Sequence, residues 1–199
     1  MDEIVARAIA KWPNVPAVYG WLSLDRRGNW AIKGERIRNR LVAEFIARNY
    51  GHDAQGRWFF QNGPQRVFVQ LAYTPLVYRT RPGDALAFVT HTGQAAEEVR
   101  HVWLDEQGAL LIETELGIGV LHDQDLSEVL AHLTLRDGTP LPESALEPYF
   151  DEDAVLAAPP AQLQTRSGSA PLSTIRADAV PQRFRFDPDP RPAPGEPEC

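Results

Sequence analysis

Residues 21–32 read WLSLDRRGNWAI, and residues 101–112 read HVWLDEQGALLI. Asp25 in the first stretch aligns with Asp105 in the second, and the glycine three positions after each aspartate aligns as well. A third Asp-x-x-Gly sequence begins at Asp53, ahead of a Trp-Phe-Phe run. Apolar residues on both sides of such a turn are typical of a β-hairpin, because glycine adopts the positive φ that the turn needs. The repeated pattern therefore predicts two related hairpin-plus-helix units.

Two segments have the apolar spacing of amphipathic helices. The clearer one spans about residues 36–50, with apolar side chains on one face and charged side chains on the other. The second spans about residues 124–132 and follows the second hairpin. We therefore expect an α+β fold of antiparallel β-hairpins with two principal helices. Its two related units would span about residues 18–80 and 99–138.

The composition changes near residue 150. Nine of the 17 prolines lie within residues 159–197, where almost no periodic apolar pattern remains. Such a composition is typical of segments that do not build a packed core. The sequence thus predicts a folded domain over residues 1–150 and a Pro-rich, disordered tail over residues 151–199.

The bulk properties limit where the protein can act. A hydrophobic content of 43% over 199 residues is enough for a folded core, and no apolar run is long enough to cross a membrane. The amino terminus lacks the basic flank and apolar stretch of a secretory signal, and the single cysteine is Cys199. These features predict a cytoplasmic protein with no membrane partner.

Three stretches, residues 20–30, 32–35 and 58–67, resemble an uncharacterised proteobacterial family that carries only a domain-of-unknown-function label. A more distant resemblance is to a second uncharacterised bacterial family, whose fold repeats a small sheet-and-helix motif and for which a signalling role has been suggested. The residues of the first predicted helix that carry it are Ile37, Asn39, Val42, Phe45 and Ile46. Both resemblances imply a fold, and neither brings catalytic residues with it.

No established catalytic or metal-binding motif occurs in the sequence. The five histidines have no partner at the close spacing that presents two ligands to one metal ion, and no cysteine accompanies them. The chain also lacks a Gly-x-Ser-x-Gly nucleophile motif and a phosphate-binding loop. We therefore predict no metal, no cofactor and no catalytic residues, and we favour a non-enzymatic function.

Five polar residues are candidates for binding a small anionic ligand. On a helical wheel Arg38 falls inside the apolar arc, where a basic group must reach solvent, pair with an acid or meet an anion. Asn62, Gln65 and Arg66 cluster at a predicted loop, and His91 ends a predicted strand. We expect these residues to meet in a cleft between the two related units.

The charge distribution leaves other functions open. Residues 1–100 carry 14 basic and 9 acidic side chains, whereas residues 101–199 carry 6 and 18. The Arg-rich helix 36–50, with aromatic residues near it in sequence, could bind nucleic acid, although the acidic net charge of −7 does not favour it. The preferred function is a module that binds a small ligand or a protein partner, with a regulatory role. The alternatives are an enzyme acting on a small anionic substrate and a nucleic-acid-binding protein.

Overall fold

The computed structural model describes residues 2–12, 15–83, 85–150 and 159–192. These residues form a mixed α+β structure with two large sheets, which agrees with the predicted fold class. The chain separates into two compact units, the first made of Met1–Pro75 and Phe184–Cys199 and the second of Leu76–Arg183. The division therefore falls at residues 75 and 184, and not near residue 150.

The first unit contains a six-stranded sheet within its described residues. In chain order its elements are α1 (Glu3–Lys11), β1 (Val18–Leu24), β2 (Trp30–Ile32), β3 (Glu35–Arg36), α2 (Arg40–Arg48), β4 (Tyr50–His52), β5 (Trp58–Asn62) and β6 (Gln65–Leu71). The strand order is β3-β2-β1-β6-β5-β4. Strands β1 and β6 run parallel, and the other neighbours run antiparallel.

The second unit contains a nine-stranded sheet within its described residues. Its elements are β7 (Leu76–Thr80), β8 (Phe88–Thr90), β9 (Ala95–Ala96), β10 (Val99–Asp105), β11 (Leu110–Thr114), β12 (Gly117–Leu121), α3 (Leu126–Leu130), β13 (Leu133–Leu135), β14 (Ala161–Thr165) and β15 (Gly168–Ile175), followed by α4 (Val180–Phe184). The strand order is β13-β14-β15-β10-β11-β12-β7-β8-β9. Strand β10 runs parallel to β15, and β12 runs parallel to β7.

Six strands of each sheet follow a corresponding order. When β1–β3 are matched with β10–β12, and β4–β6 with β13–β15, the order of the first sheet becomes the order observed in the second. In both sheets the first strand of the set pairs in parallel with the last. A helix follows the third strand in both, namely α2 after β3 and α3 after β12.

The three Asp-x-x-Gly turns share one hydrogen-bond pattern. In each turn the aspartate Oδ1 accepts the backbone N–H groups of the residues two and four positions later. These two distances are 2.9 and 2.8 Å at Asp25, 2.9 and 3.0 Å at Asp53, and 2.9 and 2.7 Å at Asp105. The glycines that follow have φ values of +78°, +77° and +83°. The shared tetrad thus produces the same local turn at three places.

The first predicted helix is shorter than its apolar pattern. Helix α2 begins after Asn39, whose Oδ1 accepts the N–H groups of Leu41 at 3.0 Å and Val42 at 3.3 Å. Arg36, predicted as the start of the helix, instead belongs to β3, which pairs with β2 across the two-residue turn Lys33-Gly34. Both turn residues have positive φ, at +48° and +82°, as a two-residue hairpin of this kind requires.

Part of the predicted disordered tail is structured. Strand β15 lies between β10 and β14, with Ala170 and Leu172 buried. Pairing of β15 with β10 begins only at Leu172, so the missing N–H of Pro171 interrupts no hydrogen bond between those two strands. Strands β14 and β15 were not predicted because they contain few apolar residues and because β15 has a proline in its interior. Residues 151–158 and 193–199, also part of the predicted tail, lie outside the described residues.

The carboxyl-terminal segment completes the first unit. The backbone N–H of Leu71, at the end of β6, donates to the carbonyl oxygen of Pro188 at 2.8 Å. A Cβ atom added at Gly56 would stand 2.1 Å from the carbonyl oxygen of Arg185. Only glycine therefore permits this backbone approach.

Candidate functional site

The first unit contains a cavity between α2 and its sheet, with a volume of about 480 Å³. We call it the α2 cavity. Its walls come from strands β1, β5 and β6 and from α2, through the side chains of Val18, Leu22, Phe60, Val67, Val42, Phe45 and Ile46. Trp21, Ile32, Asn62 and Gln65 complete the lining.

Helix α2 packs closely on the sheet toward its carboxyl end and less closely toward its amino end. Ile46 is 2% exposed, and the ring of Phe45 meets the ring of Phe60 edge-to-face at 5.4 Å. One turn earlier, Val42 is 42% exposed and Leu41 is 75% exposed. The space under the first turn of α2 therefore connects with solvent.

Large apolar side chains surround the opening. Trp21 is 45% exposed and Ile32 is 43% exposed, and both line the cavity together with Val42. Contiguous exposed apolar groups of this size commonly mark a binding surface, whereas single exposed apolar residues are ordinary. We call Trp21, Ile32 and Val42 the rim of the α2 cavity.

The polar part of the lining comes from two side-chain amides at the β5–β6 turn. The amide nitrogen of Gln65 donates to the carbonyl oxygen of Pro16 at 3.1 Å, which orients that side chain. The buried Gln61 donates to the carbonyl oxygen of Gly63 at 2.9 Å and thereby holds the turn. Asn62, between them, is exposed and belongs to the lining.

A cation lies at the rim. The Nζ atom of Lys33 stands 3.7 Å from the centre of the Trp21 ring, a cation–π contact. The backbone N–H of Lys33 also donates to the carbonyl oxygen of Trp21 at 2.8 Å. The β2–β3 turn thus fixes an exposed ammonium group beside a side chain that lines the cavity.

Two of the five predicted ligand residues, Asn62 and Gln65, line the cavity together. Arg66 does not, because its guanidinium lies 4.7 Å from the centre of the Phe59 ring, and Phe59 faces the opposite side of β5 from Phe60. Arg38 is not part of the helix at all. It precedes the Asn39 cap and is exposed.

His91 belongs to the second unit and lies outside the α2 cavity. Its Nδ1 accepts the backbone N–H of Val77 at 3.2 Å. The predicted site lay between two units, whereas the cavity found here is built entirely by elements of the first unit.

The sequence analysis missed Lys33 beside the cavity and the nine apolar residues that line it. These nine occur at positions typical of a core, and they are Val18, Trp21, Leu22, Ile32, Val42, Phe45, Ile46, Phe60 and Val67. An available signal was the width of the apolar face of residues 37–46, since a helix as short as α2 cannot bury Leu41 and Val42 as well as Phe45 and Ile46.

The aromatic residues near the Arg-rich helix in sequence are not exposed for stacking on nucleic-acid bases. Trp30 is 4% exposed and Phe60 is 8% exposed. The half-buried Trp58 packs against Tyr50 at a ring separation of 4.8 Å. The stacking surface expected beside the arginines is therefore occupied by intramolecular packing.

The second unit has a polar cluster on strands β10, β11 and β15. His101 shares a hydrogen bond of 2.9 Å with the Oγ of Ser173, and its ring stacks on Trp103 at 4.2 Å. The indole N–H of Trp103 donates to Glu113, and Arg183 covers the ring from 4.2 Å. Burial lowers the pKa of His101. These side chains therefore contact one another.

Within the described residues, no group of three or more His, Cys, Asp or Glu side chains could hold a metal ion. No helix there has both the length and the apolar character needed to span a membrane.

Known proteins place the chain by family and fold. No curated protein matches it. A crystal structure of a DUF1285 family protein from Silicibacter pomeroyi DSS-3 has a similar fold, with a TM-score of 0.54 and 15% identity over 88% of this chain and 97% of that one. Another, from Shewanella baltica OS155, has a TM-score of 0.43 and 19% identity over 57% of this chain and 90% of that one. At 15% identity the likeness to the first of these structures concerns the fold alone.

The sequence itself matches a family model over nearly its whole length. The model is DUF2944, described as a protein of unknown function (DUF2946), and the match covers residues 1–191. This confirms the resemblance to an uncharacterised family. The chain belongs to this family of unknown function.

Proposed function

We propose that this protein binds a small apolar molecule in the α2 cavity and does not act on it chemically. The observation that carries the proposal is the cavity itself, about 480 Å³ of space lined by apolar side chains and open at the rim. Sites for small ligands commonly occupy about 300–1,000 Å³ and combine apolar walls with a few polar groups. Asn62 and Gln65 would supply those polar groups.

The volume allows an estimate of the ligand's size and of the order of its affinity. At about 30 Å³ for each water-sized group, 480 Å³ accommodates roughly 16 non-hydrogen atoms. At the bound of about 0.3 kcal/mol per atom that holds for drug-sized ligands, this gives about 5 kcal/mol of binding free energy. That corresponds to a Kd of roughly 0.3 mM.

The lining favours binding over catalysis. Its residues carry aliphatic, aromatic and amide side chains, and none of them has a group that titrates near neutral pH. Acid–base catalysis requires such a group within hydrogen-bond reach of the substrate. A ligand in this cavity would therefore be held and released unchanged.

The test is the binding of N-phenyl-1-naphthylamine, a neutral apolar dye whose emission rises in apolar surroundings. Wild-type protein is expected to bind it saturably. Val42→Trp places a large ring in the cavity and is expected to weaken binding at least tenfold. Leu41→Trp is the matched control, because Leu41 is the adjacent helix residue, is more exposed and does not line the cavity.

Two results would contradict the proposal. One is an absence of saturable binding by the wild type, tested up to millimolar concentrations of water-soluble apolar ligands. The other is equal affinity in the wild type and in Val42→Trp, which would place the dye elsewhere on the protein.

The corresponding strand orders support a further part of the proposal, that the two units contain copies of one ancestral segment. The copies would span β1–β6 and β10–β15. Helix α2 has nine residues and α3 has five, and Val129 of α3 is completely buried. We infer that the longer helix of the first copy accommodates the binding site.

A further inference from the structure

We propose that the ligand of the α2 cavity is a single-chain amphipathic anion, such as a medium-chain fatty carboxylate. Its chain would fill the cavity and its head group would lie beside Lys33. This inference rests on the proposed function, because it names the class of molecule that the same cavity takes.

The position of Lys33 is the first argument. Its ammonium group lies over Trp21, a member of the rim, and its backbone is bonded to the Trp21 carbonyl group. A carboxylate at the opening would therefore lie near a positive charge that the Trp21 ring and the hairpin backbone already hold in position. The head group would remain in contact with water, which avoids the large unfavourable free energy of burying a charge in an apolar cavity.

The backbone of Lys33 is the second argument. Its φ of +48° lies in the left-handed region, which lysine adopts less readily than asparagine or glycine. Asn-Gly is the preferred sequence for a two-residue hairpin turn, and here the first position is lysine. Turn stability alone would favour Asn at position 33. Strained backbone of this kind persists where the side chain is used.

The surrounding charge is the third argument. Residues 26–48 contain seven basic and two acidic side chains, but only part of this excess lies beside the opening. Arg36 is bonded to Asn29 and lines a different pocket, and Arg40 and Arg48 are paired with Glu44 and Asp2. Lys33 and Arg38 are exposed between β2 and α2, where Glu35 lies opposite Ile32 on the neighbouring strand. These three side chains leave a net positive charge, which attracts anions and disfavours cations. A ligand with an apolar chain and one negative group matches both the apolar lining and the positive charge beside the opening.

The volume sets an upper limit on the length of the chain. Room for roughly 16 non-hydrogen atoms is enough for the ten carbons of decanoate, with its two carboxylate oxygens at the opening. A two-chain lipid is too large for the space inside the rim. The structure therefore points to a free single-chain anion.

The test compares decanoate with decan-1-ol, which has the same chain and no charge, by displacement of N-phenyl-1-naphthylamine at low ionic strength. Lys33→Asn is expected to weaken decanoate binding by roughly five- to tenfold and to leave decan-1-ol binding unchanged. The same variant is expected to unfold at the same temperature as the wild type or at one roughly 2 °C higher, because asparagine suits the turn. If Lys33 had only a structural role, Lys33→Asn would instead lower the melting temperature.

The matched control is Arg40→Gln, which removes one positive charge from the same unit at a residue that does not line the cavity. It is expected to leave decanoate binding within twofold of the wild type. Unchanged decanoate affinity in Lys33→Asn, or an equal loss in Arg40→Gln, would overturn the proposed head-group site while the apolar cavity still binds decan-1-ol. Dye bound in the cavity that neither molecule displaces would overturn the single-chain ligand alone, whereas a wild type that binds neither the dye nor these molecules would overturn the proposed function.

Discussion

Filling the α2 cavity with a tryptophan is expected to stabilise the ligand-free protein. In Val42→Trp the new indole would enter existing space instead of displacing neighbours, because Val42 already lines the cavity and is 42% exposed. Overpacked cores respond in the opposite way, since larger side chains in filled space usually destabilise by 1–3 kcal/mol. The sign of the change in stability therefore shows whether the indole enters empty space or displaces neighbouring side chains.

The expected magnitude follows from the area that the indole would bury. A buried tryptophan hides about 150–250 Å², of which we take about 100 Å² as the gain over valine. At about 25 cal/mol per Å² this contributes about 2.5 kcal/mol, and ordering the larger side chain costs about 1 kcal/mol. The net gain of about 1.5 kcal/mol corresponds to a rise of about 3–6 °C in Tm.

The assay is thermal unfolding of ligand-free wild type, Val42→Trp and Leu41→Trp, followed by far-ultraviolet circular dichroism. Leu41→Trp should change stability by no more than about 0.5 kcal/mol, because its side chain remains in solvent. A saturating apolar ligand, at about ten times its Kd, should stabilise the wild type by about 1.4 kcal/mol and should not affect Val42→Trp. A loss of more than about 1 kcal/mol in Val42→Trp would refute the reasoning, as would an equal gain in Leu41→Trp.

Three further predictions concern local structure. Asn39→Ala removes the amino-terminal cap of α2 and should destabilise the first unit by about 1 kcal/mol in urea unfolding, whereas Asn39→Ser should retain most of the stability. Gly56→Ala should lose more than about 2 kcal/mol, because its Cβ would collide with the Arg185 carbonyl oxygen, and near wild-type stability would show that the carboxyl-terminal segment is not seated there. Burial alone would raise the pKa of Asp125, but hydrogen bonds from Arg79 at 2.6 and 2.9 Å and from the N–H of Thr80 outweigh it and hold that pKa below its usual value. The stabilisation by Asp125 is therefore present above the ordinary carboxyl pKa near 3.8, and it is lost as the pH falls through the lower pKa of the folded protein. Asp125→Asn should therefore lower the free energy of unfolding by about 2 kcal/mol at pH 7. In urea titrations at decreasing pH, the stability of this variant should fall less steeply than that of the wild type.

Local features of the fold could be predicted from the sequence. The Asp-x-x-Gly turns depend on hydrogen bonds that span two and four residues, so the tetrad alone specifies them. The start of α2 was also encoded locally, by the Asn39 cap, but the longer apolar pattern hid it. Arg38 was consequently assigned to a helix that begins after it.

The apolar pattern of the sequence does not show which strands pair when they are far apart in the chain. Strand β15 is held beside β10 by pairing of Leu172 with Val102, far apart in the chain, and its own sequence carries a proline. The candidate site was hidden for another reason. Ile32, Val42 and Phe45 have the spacing of core residues, and an apolar pattern does not distinguish a side chain that fills a core from one that lines a cavity. Asn62 and Gln65 were found because polar residues beside a turn stand out.

The discontinuous first unit has a consequence for synthesis on the ribosome. Pro188, which accepts the hydrogen bond from Leu71, is translated roughly 6–23 s after Leu71 at about 5–20 residues per second. During that interval the backbone N–H of Leu71 at the end of β6 lacks its partner, and the turn at Gly56 lacks the segment that packs against it. Early termination before Pro188 would release a polypeptide whose first unit lacks its carboxyl-terminal segment.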